Sequence, residues 1–135
     1  MVLLFNHSHT EGSSMSQITE LIVDAYGCQL DLSDHKALEQ MARQALEAEG
    51  ATVVKSSHYR FQPHGLTLSL ILKESHFVVS TWPEYRMVIT NIFLCNDSMS
   101  AKRVWDNFSK VLAPSQVKFH EVKHFVGEVP NKKIA

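Results

Sequence analysis

Apolar residues recur at two spacings along the chain, and each spacing predicts a different kind of element. Every second residue from Leu66 to Leu72 is a leucine, which is the period of a strand with one strongly buried face. Less regular runs predict further strands over residues 18–26, 51–61, 76–82, 86–94 and 117–126. Turns such as Pro63-His64-Gly65 and Pro83-Glu84-Tyr85 separate them. The pattern therefore predicts several strands joined mostly by short turns.

Two other segments have the spacing of one helical face, which predicts two amphipathic helices. The first face consists of Leu38, Met41, Ala42, Ala45 and Leu46, with Ser33 or Asp34 as the N-cap and Gly50 at the end. The second consists of Ala101, Val104, Trp105, Phe108, Val111 and Leu112, with Ser98 or Ser100 as the N-cap and Pro114 as a stop.

The order of these elements predicts the fold class. A strand, a helix, several strands, a second helix and a last strand give an α+β two-layer sandwich, with a mainly antiparallel sheet and two helices on one face. Two helices cover only one face of the sheet, so the other face needs a different cover. A second subunit is the simplest one, and we therefore expect a homodimer.

The chain length fits one domain. With 135 residues, it buries roughly two-thirds of the surface that its unfolded form exposes. Residues 1–17 include the polar stretch His7-Ser8-His9-Thr10-Glu11-Gly12-Ser13-Ser14, whose composition predicts a flexible extension. We assign residues 18–127 to the domain and residues 128–135 to a C-terminal tail.

Composition and charge exclude several classes of function. Thirteen basic residues against 14 acidic ones leave no broad positive field for nucleic acid. No apolar run reaches the roughly 20 residues of a membrane helix, and the apolar start lacks the features of a secretory signal. We therefore expect a soluble, cytoplasmic protein. Cys28 and Cys95 lie too far apart for a zinc motif, and no metal site or disulfide is expected.

The most unusual residues lie between positions 73 and 95. Lys73-Glu74-Ser75-His76 precedes Thr81-Trp82-Pro83-Glu84, and Cys95 follows Ser75 by twenty positions. Each residue also has an ordinary interpretation: Ser75 as a turn residue, Glu84 as a solvated acid, and Cys95 as a small buried apolar residue. A Ser/His/Asp hydrolase is disfavoured because there is no GxSxG motif and no aspartate to orient His76.

In combination, these segments resemble the bacterial and archaeal S-adenosylmethionine decarboxylase family. The hallmark of that family is a Glu-Ser-His segment that leads into a Thr-Trp-Pro-Glu turn. The resemblance extends over most of the chain, through Tyr26-Gly27-Cys28, Gly50-Ala51-Thr52-Val53-Val54, Phe61-Gln62-Pro63-His64-Gly65 and Glu74-Ser75-His76 to Cys95.

The resemblance implies a proenzyme that cuts itself between Glu74 and Ser75. The serine hydroxyl attacks the preceding carbonyl, and elimination and hydrolysis then leave a pyruvoyl group at position 75. That group is the implied cofactor, and no metal is implied. Its ketone forms an imine with the amine of the substrate, S-adenosylmethionine, and accepts the electrons that decarboxylation releases.

The resemblance also gives single residues their expected roles. Cys95 matches the general acid that protonates the product carbon. Glu84 matches the acceptor for the ribose hydroxyls, and Phe61 matches the aromatic ring that stacks on adenine. Thr67 stands where the family has a hydroxyl that assists processing, together with Glu74, Ser75 and His76.

Two positions depart from the family pattern. Where the family has a histidine five residues after the reactive serine, this chain has Ser80, and a serine hydroxyl is a poor base near neutral pH. Processing is then slow, stalls, or uses His76 or another histidine. Glu20 stands where many relatives have histidine.

We therefore expect a pyruvoyl-dependent S-adenosylmethionine decarboxylase of polyamine (spermidine) synthesis. One alternative is a non-cleaving relative that pairs with and regulates an active paralogue, which Ser80 favours. The other is a pyruvoyl enzyme for another amino acid such as ornithine or arginine, against which Phe61 and Glu84 argue.

Overall fold

The computed structural model describes residues 16–129. This part of the chain contains six strands, two α-helices and one short 3-10 helix. The strands are β1 (Ser16–Tyr26), β2 (Val53–Arg60), β3 (Leu66–Leu72), β4 (Ser75–Trp82), β5 (Met87–Phe93) and β6 (Gln116–Val126). The helices are α1 (His35–Ala48) and α2 (Ala101–Leu112), and the short 3-10 helix is Pro83–Tyr85.

All six strands form one antiparallel sheet in the order β2-β3-β4-β5-β1-β6. Strands β2 to β5 form a meander, because each pairs with the next strand along the chain. The first strand, β1, lies between β5 and β6 and is hydrogen-bonded to both. The prediction of an α+β fold with a mainly antiparallel sheet is confirmed.

The helices form the second layer and pack against one face of the sheet. Helix α1 contacts β2 and β3, helix α2 contacts β5 and β1, and the helices contact each other. Every second residue of the central strands is buried on this face. Phe77 of β4, for example, meets Phe108 of α2 edge-on, with the two ring centroids 5.2 Å apart. The predicted apolar stripes of both helices are the faces that pack here, except that Val111 is half exposed.

Side chains cap the starts of both helices and fix where they begin. Asp34 Oδ1 accepts a hydrogen bond from the Ala37 backbone N–H at 3.1 Å, and Ser100 Oγ accepts one from Arg103 at 3.1 Å. These are the second of the two N-cap residues that the sequence allowed for each helix. Helix α2 ends at Leu112, and its C-cap Ala113, with a φ of 50°, turns the chain out of the helix just before Pro114.

The predicted boundaries differ from the observed ones at a few positions. Strand β1 begins at Ser16, so residues 16 and 17 are part of the sheet and not of the predicted extension. Strand β2 covers Val53–Arg60 and is shorter than the predicted run 51–61. Residues 1–15 of the predicted extension and 130–135 of the predicted tail lie outside the described residues.

We call the other side of the sheet the open face. It consists of the strand residues that alternate with the buried ones, among them Glu20, Ile22, Asp24, Thr67, His76, Val78, Ser80, Ile89, Asn91 and Phe93. No helix of residues 16–129 packs on it. Its apolar members Ile22, Val78, Ile89 and Phe93 are only partly buried.

Candidate functional site

The peptide bond between Glu74 and Ser75 lies at a strained turn. Strands β3 and β4 are joined by only two residues, Lys73 and Glu74, since Leu72 is already paired with Ser75. Glu74 has a φ of 70°, a left-handed conformation that residues other than glycine rarely adopt. The Lys73 N–H donates a hydrogen bond to the Thr52 carbonyl at 3.1 Å, which ties the turn to the α1–β2 loop. Strain of this kind is typical of functional sites.

Cys95 lies beside Ser75. Both residues lie at the end of the sheet where β4 begins and β5 ends, and Ser75 Oγ donates a hydrogen bond to the Lys73 carbonyl at 3.5 Å. Both residues line a pocket of about 420 Å³, which also contains residues of the α1–β2 loop and of the loop before α2. Its other lining residues are Gly50, Ala51, Thr52, Leu72, Lys73, Glu74, Asn96 and Met99.

The surroundings of Cys95 keep its thiol protonated. Burial raises the pKa of this thiol, the nearby Ser75 hydroxyl lowers it, and the negative charge of Glu74 raises it. The net shift is upward, so the thiol carries its proton at neutral pH. A protonated thiol can donate to a carbanion, which suits a general acid better than a nucleophile.

A second group of the sequence-predicted residues lies at the opposite end of β4. Glu84 belongs to the short 3-10 helix after β4, and its carboxylate lies 3.6 Å from the His64 imidazole. Phe61 belongs to the same β2–β3 loop as His64, and its N–H donates to the Gly65 carbonyl at 2.8 Å. The Phe61 ring is 49% exposed and therefore open to a stacking partner.

Thr67 and Ser80 lie opposite each other on β3 and β4, on the open face. Their hydroxyl oxygens are hydrogen-bonded at 3.2 Å. Ser80 is five residues from Ser75 on the same strand, and a strand rises by about 3.3 Å per residue, so the two residues are about 17 Å apart. Within one chain, Thr67 and Ser80 therefore do not reach Ser75.

His76 also points away from the Ser75 pocket, onto the open face. Its ring stacks on Phe93 at a centroid distance of 4.9 Å and an interplanar angle of 16°. His124 of β6 meets the other part of the Phe93 ring edge-on at 5.8 Å. Sequence analysis noted His76 but gave no reason to connect it with Phe93 or His124.

Sequence reasoning gave no role to two residues, His64 and Glu20, whose contacts the structure shows. His64 was treated only as a turn residue, although an imidazole in this loop can make a polar contact such as the one with Glu84. The carboxylate of Glu20 is held by Asn91 and His124, and its replacement of the family histidine was the only signal for it. In residues 16–129, no group of three or more metal-ligating side chains could hold a metal ion, and none of the helices described is long and apolar enough to cross a membrane.

Comparison with known proteins gives the same result from sequence and from fold. The family model for S-adenosylmethionine decarboxylase matches residues 19–124. The S-adenosylmethionine decarboxylase proenzyme of Thermosipho melanesiensis is 32% identical over 109 residues, which are 80% of this chain and 82% of that protein. The proenzyme of Picrophilus torridus is 34% identical over 104 residues, which are 76% and 80% of the two chains.

A solved structure shares the fold. The crystal structure of the adenosylmethionine decarboxylase from Aquifex aeolicus matches with a TM-score of 0.72 and 24% sequence identity, over 91% of this chain and all of that chain. This chain therefore has a two-layer α+β fold of the kind seen in that adenosylmethionine decarboxylase. From the family match and the relatives above 30% identity, the chain belongs to the S-adenosylmethionine decarboxylase family.

Proposed function

We propose that this protein cuts itself between Glu74 and Ser75 and then decarboxylates S-adenosylmethionine. The observation that carries the proposal is the position of Ser75, which follows a non-glycine residue with positive φ and lines the same pocket as Cys95. These two residues are the reactive serine and the general acid that the family resemblance implies.

Self-cleavage needs only Ser75, its neighbours and water. Ser75 Oγ attacks the Glu74 carbonyl carbon, the C–N bond breaks, and the hydroxyl proton moves to the freed nitrogen, which leaves an ester. Removal of the Ser75 Cα proton then expels Glu74 as a carboxylate and leaves a carbon–carbon double bond at position 75. Water replaces the nitrogen, which departs as ammonia, and a ketone remains. The left-handed conformation of Glu74, directly before the bond that breaks, is the kind of local strain found at reactive sites and supports this assignment.

The residues around position 75 fit a pyruvoyl group. When present, this group supplies the electron sink that decarboxylation needs and that no unmodified side chain offers. Cys95 is the proton donor beside it, and the thiol's raised pKa keeps that proton in place until the product carbon accepts it. Cys95 is also partly buried, which limits competing proton transfer from water.

A complete site requires two chains. The family resemblance assigns Ser75, Cys95, Phe61, Thr67, Ser80 and Glu84 to one site, yet one chain holds them as two groups at opposite ends of β4. The length of β4 separates Ser75 from the Glu84 end by more than about 20 Å, which exceeds the reach of one substrate molecule. In a homodimer whose open faces pack with antiparallel β4 strands, Ser75 and Cys95 of one protomer meet Phe61 and Glu84 of its partner.

The dimer also supports an assignment for the residues on the open face. Packing two open faces buries the apolar side chains of Ile22, Val78, Ile89 and Phe93. Thr67 and Ser80 then approach the partner's reactive junction, where the family has its processing histidine. Because Ser80 is a weak base, we expect removal of the Cα proton to be the slow step of cleavage.

The product is the aminopropyl donor for polyamine (spermidine) synthesis in this proposal. Cytoplasmic location stays a prediction. The non-cleaving paralogue and the ornithine or arginine decarboxylase are outcomes of the test below.

Release of carbon dioxide from carboxyl-labelled substrate tests the proposal. Purified protein is incubated with S-adenosylmethionine, ornithine or arginine, and Ser75→Ala serves as the control that cannot form the pyruvoyl group. We expect release from S-adenosylmethionine alone, and none from Ser75→Ala. Release from ornithine or arginine contradicts the assigned substrate, and no release from any of the three supports the non-cleaving paralogue instead.

A further inference from the structure

A carboxylate on the open face is held in place by two donors. Asn91 Nδ2 donates to Glu20 Oε2 at 2.9 Å, and His124 Nε2 donates to Glu20 Oε1 at 3.1 Å. The Glu20 side chain is only 17% exposed. With one donor on each oxygen, the carboxylate has a fixed position and orientation.

This carboxylate lies on the open face, in the same row of the sheet as the residue that follows Ser75. Glu20 is paired with Phe93 across β1 and β5, and Phe93 is paired with His76 across β5 and β4. His76 directly follows Ser75, and Cys95 lies two residues after Phe93. Glu20 is therefore in the row of the sheet that borders Ser75 and Cys95, on the face where the proposed dimer encloses the substrate.

The negative charge of Glu20 is available to a ligand. Its two hydrogen-bond donors within residues 16–129 are an amide and an imidazole, and neither is a permanent cation. The hydrogen bond from Asn91 is the largest cause that lowers the pKa of Glu20, with His124 acting in the same direction and burial against it.

We propose that Glu20 binds the sulfonium cation of the substrate and so selects S-adenosylmethionine over uncharged thioethers. This inference rests on the proposed function and adds a specificity residue to it. In S-adenosylmethionine, the sulfonium is joined to the reacting α-carbon by a short chain, so a carboxylate in the row beside Ser75 is suitably placed. A partly desolvated carboxylate attracts such a cation more strongly than one in water.

A carboxylate in the helix layer provides a matched control. Glu39 Oε2 accepts hydrogen bonds from Arg43 at 3.1 Å and from Ser56 at 2.7 Å, and the Glu39 side chain is 29% exposed. Glu39 belongs to α1, which packs on the opposite side of the sheet from the open face. Loss of its charge tests whether removal of any carboxylate held by two donors changes the affinity.

The test compares a charged ligand with its neutral analogue. KM is measured for S-adenosylmethionine, and the inhibition constant is measured for S-adenosylhomocysteine, which differs by one methyl group and by the charge on sulfur. Glu20→Gln removes the charge and keeps the side-chain shape. We expect KM to rise about tenfold or more, with kcat and the inhibition constant changed by less than about twofold. Glu20→Asp should restore part of the affinity, and Glu39→Gln should change neither value.

The other results separate the inference from the proposed function. An equal loss for both ligands in Glu20→Gln would show a structural role, and no loss for either would show no role; both overturn the inference and leave the decarboxylase intact. A wild-type protein that does not turn over S-adenosylmethionine contradicts the proposed function itself.

Discussion

Ser75 and Cys95 line the same pocket, at the end of the sheet where β4 begins and β5 ends. The pair consists of the first residue of β4 and the residue two positions after the end of β5. It places a proton donor close to the serine where we expect cleavage to begin and decarboxylation to occur. Because we expect Ser75 to act in both reactions and Cys95 only in the second, substitutions can separate the two reactions.

Replacement of Cys95 by alanine should leave self-cleavage intact and lower decarboxylation by about a hundredfold or more, because only the second reaction needs a donor for the product carbon. Gel electrophoresis follows cleavage, and carbon dioxide release follows turnover. Cys28→Ala is the matched control, since Cys28 is a buried core cysteine. Its turnover should be unchanged. If the Cys95→Ala protein is cleaved and keeps wild-type turnover, Cys95 is not the donor of the proton to the product carbon.

Decarboxylation should depend on pH through the same thiol. The pKa of Cys95 is raised, so the active, protonated form persists through neutral pH and is lost as pH rises through that pKa. We expect kcat to fall only above the ordinary thiol pKa of about 8.5. A kcat that declines already between pH 6 and about 8 would show that a different group donates the proton.

Two inactive variants should restore each other if the site is shared between protomers. Cys95→Ala lacks the acid of one half-site, and Glu84→Gln lacks the ribose acceptor of the other. In a mixed dimer, one of the two sites then contains both native residues, so an equal, fully exchanged mixture should regain about a quarter of wild-type activity. An inactive mixture whose exchange is verified by mass would contradict a shared site.

Ser80→His should speed self-cleavage, because an imidazole at this position restores a base for the Ser75 Cα proton. If that step is slow in the wild type, part of the purified protein is trapped as the ester. Hydroxylamine attacks esters and not amides, and it should cut this fraction at the Glu74–Ser75 junction. Mass spectrometry identifies the new ends.

Two other results bear on Ser80. Complete cleavage of the wild type, with reaction of the product with phenylhydrazine, would show that another base acts and that the chain does not stall. If neither hydroxylamine nor Ser80→His gives a cut, the failure lies in the attack on the Glu74 carbonyl, and the regulatory paralogue is the better account.

Two buried threonines should respond in opposite directions to replacement by valine. The Thr90 hydroxyl is fully buried and has no hydrogen-bond partner among the described residues, so Thr90→Val should raise the free energy of unfolding by about 1 kcal/mol. Thr81 Oγ1 accepts from the Leu66 N–H at 3.1 Å, and Thr81→Val should lower that free energy by about 1–2 kcal/mol. Urea denaturation measures both. Destabilisation by Thr90→Val would mean that its hydroxyl is satisfied.

Much of the fold could be predicted from hydrophobic periodicity. The alternating leucines predicted strand β3 and its buried face. The apolar stripe that includes Trp105 and Phe108 predicted helix α2 and its buried face. The sheet order could not be predicted, because periodicity shows which face of a strand is buried and not which strand lies beside it. The insertion of β1 between β5 and β6 is therefore visible only in the structure.

The candidate site was predictable in part. Family resemblance brought Ser75 and Cys95 together, since residues twenty positions apart carry no spacing signal of their own. The separation of Ser80 from Ser75 could have been predicted, because five residues of extended strand span about 17 Å. The hydrogen bonds that orient Glu20 depend on sheet register, which the sequence does not specify.

The mass of the purified protein tests self-cleavage, the central claim, most directly. The account predicts two fragments that meet between Glu74 and Ser75, with the second fragment blocked at its amino end by pyruvate and able to react with a carbonyl reagent. The Ser75→Ala variant should give one mass only. A wild-type protein that remains one chain, with an intact serine at position 75 after prolonged incubation, would contradict the account.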